Sequence, residues 1–431
     1  MCSSDLYGRF LLGWHGVTPE SRADRAGASA LVEVIAQLQG AAVPASALER
    51  EILPARLAHY DPRELDMLLA TGQAIWVGRE PLGAQDGRIS LYLFDSAPLL
   101  IDPPRQRPEG PLHDRIRDCL ERRGAVFFTQ LMEACEGSFA REVIEALWDL
   151  VWAGEVTNDT LQPLRAWLGP RRSPRRTHGR GPVWSSGRAL GPLEASGRWS
   201  LVHRIWSEAP TPEQRALARA RQLLDRWGVV TRDVALAEGI EGGFAALYPI
   251  FQELEGCGQI RRGYFVAGRG GIQFALPGAV DRLRALREPG EKPQTMLLAA
   301  TDPANPYGAA LPWPEREEGR RPARMAHACV ILVDGAFAAW WPVGRGERRL
   351  LTFFDQVAHR PPEVVATAVV SALVDEVERG RRLAVFVSEV DGRPAAESPL
   401  APALVAAGFV LGPQGYYYRR RVLAGRSDPR G

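Results

Sequence analysis

Arginine is the side chain in this sequence whose number and spacing most clearly match a chemical task. Lys292 is the one lysine among the 53 Lys and Arg of the 431-residue chain. Guanidinium groups bind phosphate oxygens, often through two parallel hydrogen bonds. One basic stretch that contains Pro and Gly holds five arginines: Arg171, Arg172, Arg175, Arg176 and Arg180. This stretch predicts contact with a nucleic-acid backbone, and a solvated linker without a partner is the alternative.

Further basic and aromatic residues fall where a contact with DNA is expected. Arg88 follows an Asp-Gly turn in a predicted hairpin, and a later predicted hairpin carries Arg261, Arg262 and Arg269. Arginines on such hairpins can reach phosphates, whereas ordinary surface charge is the alternative interpretation. Trp199 stands beside the basic stretch and is a candidate for stacking on a base of single-stranded DNA; burial in a core is its alternative.

Several kinds of chemistry have no matching pattern. The phosphate-binding loop of many ATPases ends in Gly-Lys, and Lys292 stands in Pro-Gly-Glu-Lys-Pro instead, so we expect no ATP site in this chain. The five cysteines never form Cys-x-x-Cys and the seven histidines are scattered, so no metal site is predicted. No apolar run reaches the ~20 residues of a membrane span, and no secretion signal is present, which predicts a cytoplasmic protein.

The elements that would position these residues repeat three times. Residues 27–105, 111–169 and 209–288 each read as short amphipathic helices, a glycine stop and an apolar strand. The glycines at the ends of the third helices turn each chain segment into its strand. Three helices followed by a β-hairpin form a winged helix, whose third helix can lie in a DNA groove. The sequence therefore predicts three tandem winged-helix domains.

The remaining segments complete a multidomain α+β prediction. Residues 1–26 are interpreted as a residual linker and residues 170–208 as a basic linker. Residues 293–421 change to a strand-rich pattern with one long helix, Pro361 to Arg379, and predict a β-barrel-like α+β domain. Residues 422–431 form a tail. Tandem winged helices followed by a barrel-like domain is thus the predicted fold.

Long, unusual strings of residues connect the sequence to a known family. They include Ile75 to Gly78, Ala146 to Thr160, Gly197 to Ser200, Arg262 to Gly268 and Ala299 to Gly308. With them, the chain resembles the C-terminal region of the large helicase-related (Lhr) family over nearly its whole length. The first six residues do not match, and we expect a truncated reading frame or an engineered start there.

The resemblance implies a function that this chain performs only in part. Members of the family are ATP-dependent helicases that move 3′ to 5′ on DNA, unwind duplexes and RNA:DNA hybrids, and act in DNA repair. Their ATPase core is missing here, so ATP and Mg²⁺ are expected only in that core. The implied partners are single-stranded or forked DNA, the helicase core of the same polypeptide and, in some members, further copies of the protein.

The C-terminal region of the family also resembles AlkZ-type DNA glycosylases, which raises a sharper hypothesis. Those enzymes use a Gln–apolar–Gln motif, and Gln37 and Gln39 flank a leucine in that way, with ordinary polar positions at a helix end as the alternative. Removal of a uracil or damaged base also needs a carboxylate beside the flipped nucleotide. Asp86, Asp302 and Asp428 are the candidates, with a hairpin turn, a turn before proline and a tail position as their alternative roles.

Three functions therefore remain open from the sequence. The first is a DNA-binding region that grips the substrate for a helicase motor. The second is a DNA glycosylase, and the third is a scaffold whose winged helices contact proteins or further copies of the chain. Binding to DNA that weakens as salt rises favours the first, and cleavage of a uracil-containing strand by alkali after incubation favours the second.

Overall fold

The computed structural model describes residues 2–104, 106–169, 192–205, 209–286, 289–316, 319–343 and 348–420. The chain folds as two units, each of which draws on distant parts of the sequence. The first unit comprises Met1–Thr18, Gly228–Gly239 and Arg261–Gly431. The second unit comprises Pro19–Trp227 and Ile240–Ile260.

The chain up to residue 100 contains two leading helices and the first winged helix. The α5 N-terminus follows from the sequence, because the Asp61 carboxylate accepts the N–H of Arg63 and Pro62 fixes the first helical turn. The strands pair antiparallel in the order β1-β3-β2. The elements are α1 (Ser4–Trp14), α2 (Pro19–Ala23), α3 (Gly27–Leu38), β1 (Val43–Pro44), α4 (Ala45–Ala47), a π-helical turn (Leu48–Ile52), α5 (Pro62–Ala70), β2 (Ala74–Pro81), β3 (Gly87–Leu93) and α6 (Ala97–Leu100).

The second winged helix extends beyond its predicted end. Its elements are α7 (Pro111–Arg123), β4 (Val126–Phe127), α8 (Phe128–Ala134), α9 (Ala140–Trp152), β5 (Val156–Asn158), α10 (Gln162–Leu168) and β6 (Arg198–Leu201). β6 is the central strand of the order β4-β6-β5, with Thr157 opposite Ser200. The prediction that 170–208 is all linker is therefore wrong at 198–201, because the backbone of β6 pairs with strands on both sides.

The third winged helix has the predicted order of elements. Its parts are α11 (Pro212–Trp227), β7 (Val229–Val230), α12 (Arg232–Ala237), α13 (Gly243–Gly256), β8 (Arg261–Gly263), β9 (Gln273–Ala275) and α14 (Pro277–Ala285). β9 lies between β7 and β8, and both pairs are antiparallel. β8 and β9 form the wing, and the loop between them contains residues 264–272.

The C-terminal domain carries two open sheets. Its elements are β10 (Thr295–Ala299), β11 (Ala328–Val333), β12 (Ala336–Pro342), β13 (Arg349–Thr352), α15 (Pro362–Glu378), β14 (Ala384–Val387), β15 (Glu389–Val390), β16 (Arg393–Pro394), α16 (Ala401–Ala406), β17 (Val410–Gly412) and β18 (Gly415–Arg419). The strand orders are β10-β11-β12-β13-β15-β16 and β14-β18-β17. The α+β prediction is confirmed, but the barrel-like part is wrong, because neither sheet closes within the described residues.

Residues 4–14, predicted as linker, are a helix in the core of the first unit. Tyr7, Phe10 and Leu11 are buried, and α1 packs against β12 and α14. Gly8 faces Gly335, the second residue of the tight turn between β11 and β12, so closely that a Cβ on either residue would overlap backbone atoms of the other segment. The linker prediction therefore fails here, because this apolar helix face is needed to close the core.

Five tryptophans pack together in the second unit. The Trp148 ring stacks on that of Trp167 at 4.6 Å and meets the ring of Trp199 edge-on at 6.0 Å. Trp76 and Trp152 also contact Trp148, with ring centroids at 6.5 and 5.3 Å. Trp76 belongs to the first winged helix and the other four to the second, so the cluster joins these two domains.

Candidate nucleic-acid interface

The wing of the third winged helix presents positive charge to solvent. Arg261 and Arg262 are exposed on β8, as the sequence predicted for a wing. Tyr264 follows directly and is 62% exposed, which is unusual for so large a ring. Two guanidinium groups and an aromatic ring thus lie at the surface of the wing, and these are the groups that contact phosphates and bases in nucleic-acid-binding proteins. Sequence reasoning missed Tyr264, although its place after two arginines on a predicted wing was a usable signal.

A buried glutamine sets the shape of this wing. The Gln273 side chain is fully buried and accepts the N–H groups of Phe265 and Val266, each at 2.8 Å. Its amide nitrogen donates to the carbonyl oxygens of Val266 at 2.9 Å and Arg269 at 3.2 Å. Four hydrogen bonds to the loop backbone replace the ladder bonds that a wide loop lacks. The loop is therefore organised before any ligand arrives.

The N-terminal residues brace the same loop from outside. The Cys2 N–H donates to the Phe265 carbonyl at 2.6 Å, and the Ala267 N–H donates to the Cys2 carbonyl at 2.8 Å. Burial raises the pKa of the Cys2 thiol to about 11, so this thiol stays protonated and does not act as a nucleophile near neutral pH. Cys2 thus has a structural role as an extra strand partner of the wing.

Arg269, the third predicted wing arginine, is partly neutralised. Its Nη1 lies 3.5 Å from an Asp233 carboxylate oxygen, and its side chain is only 22% exposed. The neighbouring Arg232 packs against Gly271 on the same loop. Arg269 therefore fits the role of holding the loop against α12 better than that of a primary phosphate ligand.

The hairpin of the first winged helix is mainly structural. The Asp86 carboxylate, a candidate catalytic group, accepts the Ser46 N–H at 3.2 Å, the Ser46 hydroxyl at 2.5 Å and the Gly87 N–H at 2.9 Å. This buried carboxylate closes the β2–β3 turn onto α4. Arg88 pairs with Glu80 across the hairpin at 3.3 Å and is 37% exposed. Asp86 thus has the turn role that the sequence offered as its alternative.

Gln37 and Gln39, the two glutamines of the glycosylase-like motif, differ in environment. The Gln39 side chain is buried, accepts the Leu93 N–H at 2.9 Å and donates to the Ala36 carbonyl at 3.3 Å. It also lies 3.4 Å from the side-chain oxygen of Gln222 on α11. The Gln37 side chain is half-buried, and its carbonyl accepts a bond from Gln222. Gln39 therefore fastens α3 to β3 and α11, and Gln37 is the more accessible of the two.

Asp302 lies in the first unit, in a tight turn after β10. Its carboxylate accepts the Ala304 N–H at 2.7 Å, and the residue is fully buried. The Arg324 guanidinium crosses the same turn and donates to the carbonyls of Thr301, Asp302, Asn305 and Tyr307 at 2.8–3.1 Å. The turn role predicted as the alternative for Asp302 matches this geometry.

Trp199 does not offer a stacking surface in this structure. Its ring is fully buried in the tryptophan cluster, and its indole N–H donates to the Ala195 carbonyl at 3.1 Å. The prediction of base stacking at Trp199 is wrong, because no ring face reaches solvent. The remaining predicted residues lie outside the described residues: Arg171, Arg172, Arg175, Arg176, Arg180 and Asp428.

A second basic group, in the second unit, was not predicted. Arg79 on β2 and Arg219 on α11 both pair with Asp102, and Arg215 lies 3.8 Å from the same carboxylate. Burial lowers the pKa of Arg215, and burial with repulsion from Arg79 lowers that of Arg219. Three guanidinium groups around one carboxylate leave net positive charge, and their wide separation in sequence hid the group from pattern analysis.

The described residues contain no cluster of three or more His, Cys, Asp or Glu arranged to hold a metal ion. They also contain no helix with the length and apolar content that a membrane span requires.

Comparison with known families agrees with this fold. Two family models described as "Large helicase-related protein, winged-helix domain" match the chain, the third-domain model at residues 2–94 and the fourth-domain model at residues 209–295. Residues 2–94 and 209–295 of the chain are thus winged-helix domains of the large helicase-related family. The prediction of tandem winged helices is thereby confirmed. The match at residues 2–94 includes α1 and α2, which were predicted to be a linker.

Two relatives of known name align along nearly the whole chain. The protein named "Lhr helicase/ probable uracil glycosylase" from Mycolicibacterium smegmatis is 39% identical over 437 residues, which are 97% of this chain and 28% of that protein. The "Lhr helicase/uracil glycosylase" of Escherichia coli K12 is 34% identical over 446 residues, which are 96% of this chain and 28% of that protein. The chain thus spans less than a third of the length of either large helicase-related relative.

One solved structure shares the fold across the chain. The Streptomyces sahachiroi DNA glycosylase AlkZ matches with a TM-score of 0.50 and 16% sequence identity, covering 90% of this chain and 99% of that one. At this identity the likeness concerns the fold alone. The predicted similarity of this Lhr region to the AlkZ-type architecture is confirmed.

Proposed function

We propose that this Lhr region binds DNA and grips it for a 3′-to-5′ ATP-dependent helicase motor in the same polypeptide, in the setting of DNA repair. The observation that carries the proposal is the wing, where Arg261 and Arg262 are exposed on β8 and Tyr264 is exposed on the loop that Gln273 organises in advance. A rigid wing loses little conformational entropy on binding, so little of the binding free energy from its charged contacts is spent on ordering the loop. ATP and Mg²⁺ belong to the motor in this proposal.

The test of this proposal is DNA binding by the purified chain across a salt series. Fluorescence anisotropy with single-stranded, forked, duplex and RNA:DNA hybrid ligands gives a dissociation constant for each. We expect affinity to fall steeply with salt, because each neutralised phosphate releases counterions and adds ~0.9 to the slope for a duplex. The proposal would be contradicted if none of these ligands is bound with an affinity that depends on salt.

A second candidate function, base excision, is favoured by a specific observation. Both relatives carry uracil glycosylase in their names, and the fold is that of a DNA glycosylase. In this proposal water adds to the sugar C1′ as the glycosidic bond breaks and the base leaves with a proton. Asp86 and Asp302 hold backbone turns, which leaves Asp428 as the carboxylate and Gln37 as the accessible glutamine to test.

The assay for base excision is incubation with a uracil-containing strand followed by alkaline cleavage. We expect Asp428→Asn and Gln37→Ala to lower the extent of cleavage. Asp86→Asn is the matched control for a carboxylate with a structural role. It should lower the free energy of unfolding by about 1–3 kcal/mol, because the hydrogen bonds of the turn are lost. An intact strand with the unaltered chain would reject base excision on uracil.

Self-association is the third function to be tested. Light scattering over a concentration series measures whether the chain forms a homo-oligomer. A concentration-dependent oligomer combined with indifference to DNA would favour a scaffold role and contradict DNA binding.

A further inference from the structure

The small sheet of the C-terminal domain has one covered face and one exposed aromatic face. Val385, Val387 and Tyr416 are buried on the inner face, in the core that includes α15. Phe386 is 44% exposed and Val410 is 52% exposed. Both lie directly opposite Tyr417 in the strand register, and cross-strand neighbours share a face. We call Phe386, Val410, Tyr417 and the residues beside them on this side the outer face.

The outer face carries a stack of planar groups. The Phe386 and Tyr417 rings lie nearly parallel, with centroids 6.2 Å apart and planes 29° apart. The Arg348 guanidinium lies over the Phe386 ring, 5.1 Å from its centroid. A hydrogen bond from Arg348 to Gln414 holds that guanidinium in place. Rings left this exposed on a sheet are poor core residues and good stacking surfaces.

Charge on the outer face selects the ligand. The Arg348 guanidinium contacts the Phe386 ring. The exposed Arg419 lies on the same side of the sheet as Tyr417, two residues along β18. The strands β14, β17 and β18 contain no carboxylate. Cations beside aromatic rings match a ligand with phosphates beside unpaired bases. A neutral apolar protein surface would leave these arginines without partners.

A cleft next to the stack gives such a ligand further contacts. It has a volume of about 530 Å³, and its lining includes Arg348, Ser388, Leu411 and Gln414. This volume is within the range of ligand sites, and the amide and guanidinium can hydrogen-bond base edges. No carboxylate is among the residues that line it.

We propose that the outer face of the β14–β18–β17 sheet binds single-stranded DNA by stacking bases on Phe386 and Tyr417, with Arg348 and Arg419 at the phosphates. The inference rests on the proposed DNA-binding function and adds a site in the C-terminal domain, separate from the wing. Stacking on a sheet face tolerates any base sequence, because every base has a π-face. A duplex, whose bases are already stacked, does not use this site.

The test compares variants on a labelled oligodeoxythymidine of about 15 nucleotides and on a duplex, by anisotropy. Phe386→Ala should weaken single-strand binding at least about fivefold and leave the salt slope unchanged, since stacking releases no counterions. Phe386→Trp should retain or strengthen binding, and Phe386→Leu, which keeps apolar bulk without a π-face, should weaken it. Arg419→Gln should reduce the salt slope. None of these changes should alter duplex affinity.

The controls separate this inference from the proposed function. Suppose that the unaltered chain binds DNA and that both Phe386→Ala and Phe386→Leu bind the single strand as tightly as the unaltered chain does. The outer face is then not a DNA site, although the wing proposal stands. If the unaltered chain binds no DNA, both fail. A dimer that light scattering detects and that Phe386→Ala abolishes would assign the outer face to a second copy and overturn the inference. Circular dichroism of each variant checks that the fold is retained.

Discussion

Gln273 shows how one buried polar side chain can define a binding loop. Its amide makes four hydrogen bonds to backbone groups of the wing, and an apolar side chain cannot make any of these hydrogen bonds. We expect Gln273→Leu, which is similar in volume, to lower the free energy of unfolding by at least about 2 kcal/mol, because buried N–H and C=O groups lose their partners. Urea denaturation measures this loss.

The matched control is Gln252→Leu, since Gln252 is exposed on α13. It should change the unfolding free energy by no more than about 0.5 kcal/mol. Equal midpoints for Gln273→Leu and Gln252→Leu would show that the wing loop does not depend on the buried amide.

Asp334 links the stability of the first unit to pH. Burial opposes its ionisation, but hydrogen bonds from the Gln294 N–H, His359 and Arg360 outweigh burial and lower its pKa. A carboxylate with a lowered pKa in the folded state stabilises the protein above its unfolded pKa of about 3.9 and loses that contribution as pH falls toward the folded value. Asp334→Asn should therefore be destabilising at pH 7, and the difference should shrink below about pH 4.

Denaturation midpoints of Asp334→Asn and the unaltered chain, measured at several pH values, check this prediction. Asp355→Asn, at an exposed position in the same domain, serves as the control and should show a small difference in midpoint. A constant gap between Asp334→Asn and the unaltered chain down to acid pH would contradict the linkage.

Sequence reasoning located charged residues well but not their environments. Arg261 and Arg262 lie on an exposed wing as predicted, because local hairpin signals place them there. Trp199 is buried against Trp148, and the Gln39 side chain is hydrogen-bonded to Gln222. Both partners are distant in sequence. No local pattern encodes those contacts.

At the scale of elements, the helix α1 depends on a glycine contact. A side chain on Gly8 would overlap the Gly335 carbonyl, whereas Gly13 in the same helix has nothing within 4 Å of an added Cβ. We expect Gly8→Ala to lower the unfolding free energy by about 1–3 kcal/mol through overpacking. Gly13→Ala should be neutral or stabilise by up to about 1 kcal/mol, because alanine favours helix.

Thermal or urea unfolding of the two alanine variants decides the matter. The same midpoint for Gly8→Ala and Gly13→Ala would mean that α1 does not dock against the β11–β12 turn. The comparison is sharp because both substitutions add one methyl group to the same helix.

Elements whose signals are local were predicted, and those that need distant pairing were not. The helix predicted from Pro361 to Arg379 is α15 (Pro362–Glu378), because its apolar periodicity is continuous in sequence. β6 escaped assignment to the second winged helix, because its partner β5 precedes the long basic stretch. Barrel closure was predicted wrongly, since strand content does not reveal which edges pair.

At the scale of the whole molecule, the two compact units do not coincide with the domains read in order along the chain. The third winged helix contributes α11 and α13 to the second unit and its wing to the first. The basic groups follow the same division, with Arg79, Arg215 and Arg219 in the second unit and the wing in the first. Candidate contacts for the proposed DNA binding therefore lie in each unit, and the wing carries the most exposed of them.

The measurement that most directly tests this account is the salt dependence of duplex binding by an Arg261→Gln/Arg262→Gln double variant. Arg379→Gln, on the α15 end and paired with Asp375, is the control. If the wing contacts phosphates, the double variant should bind about tenfold more weakly at low salt, with a slope of log affinity against log salt smaller by about 2. Affinity and slope equal to those of the unaltered chain and of Arg379→Gln would contradict DNA binding through the wing.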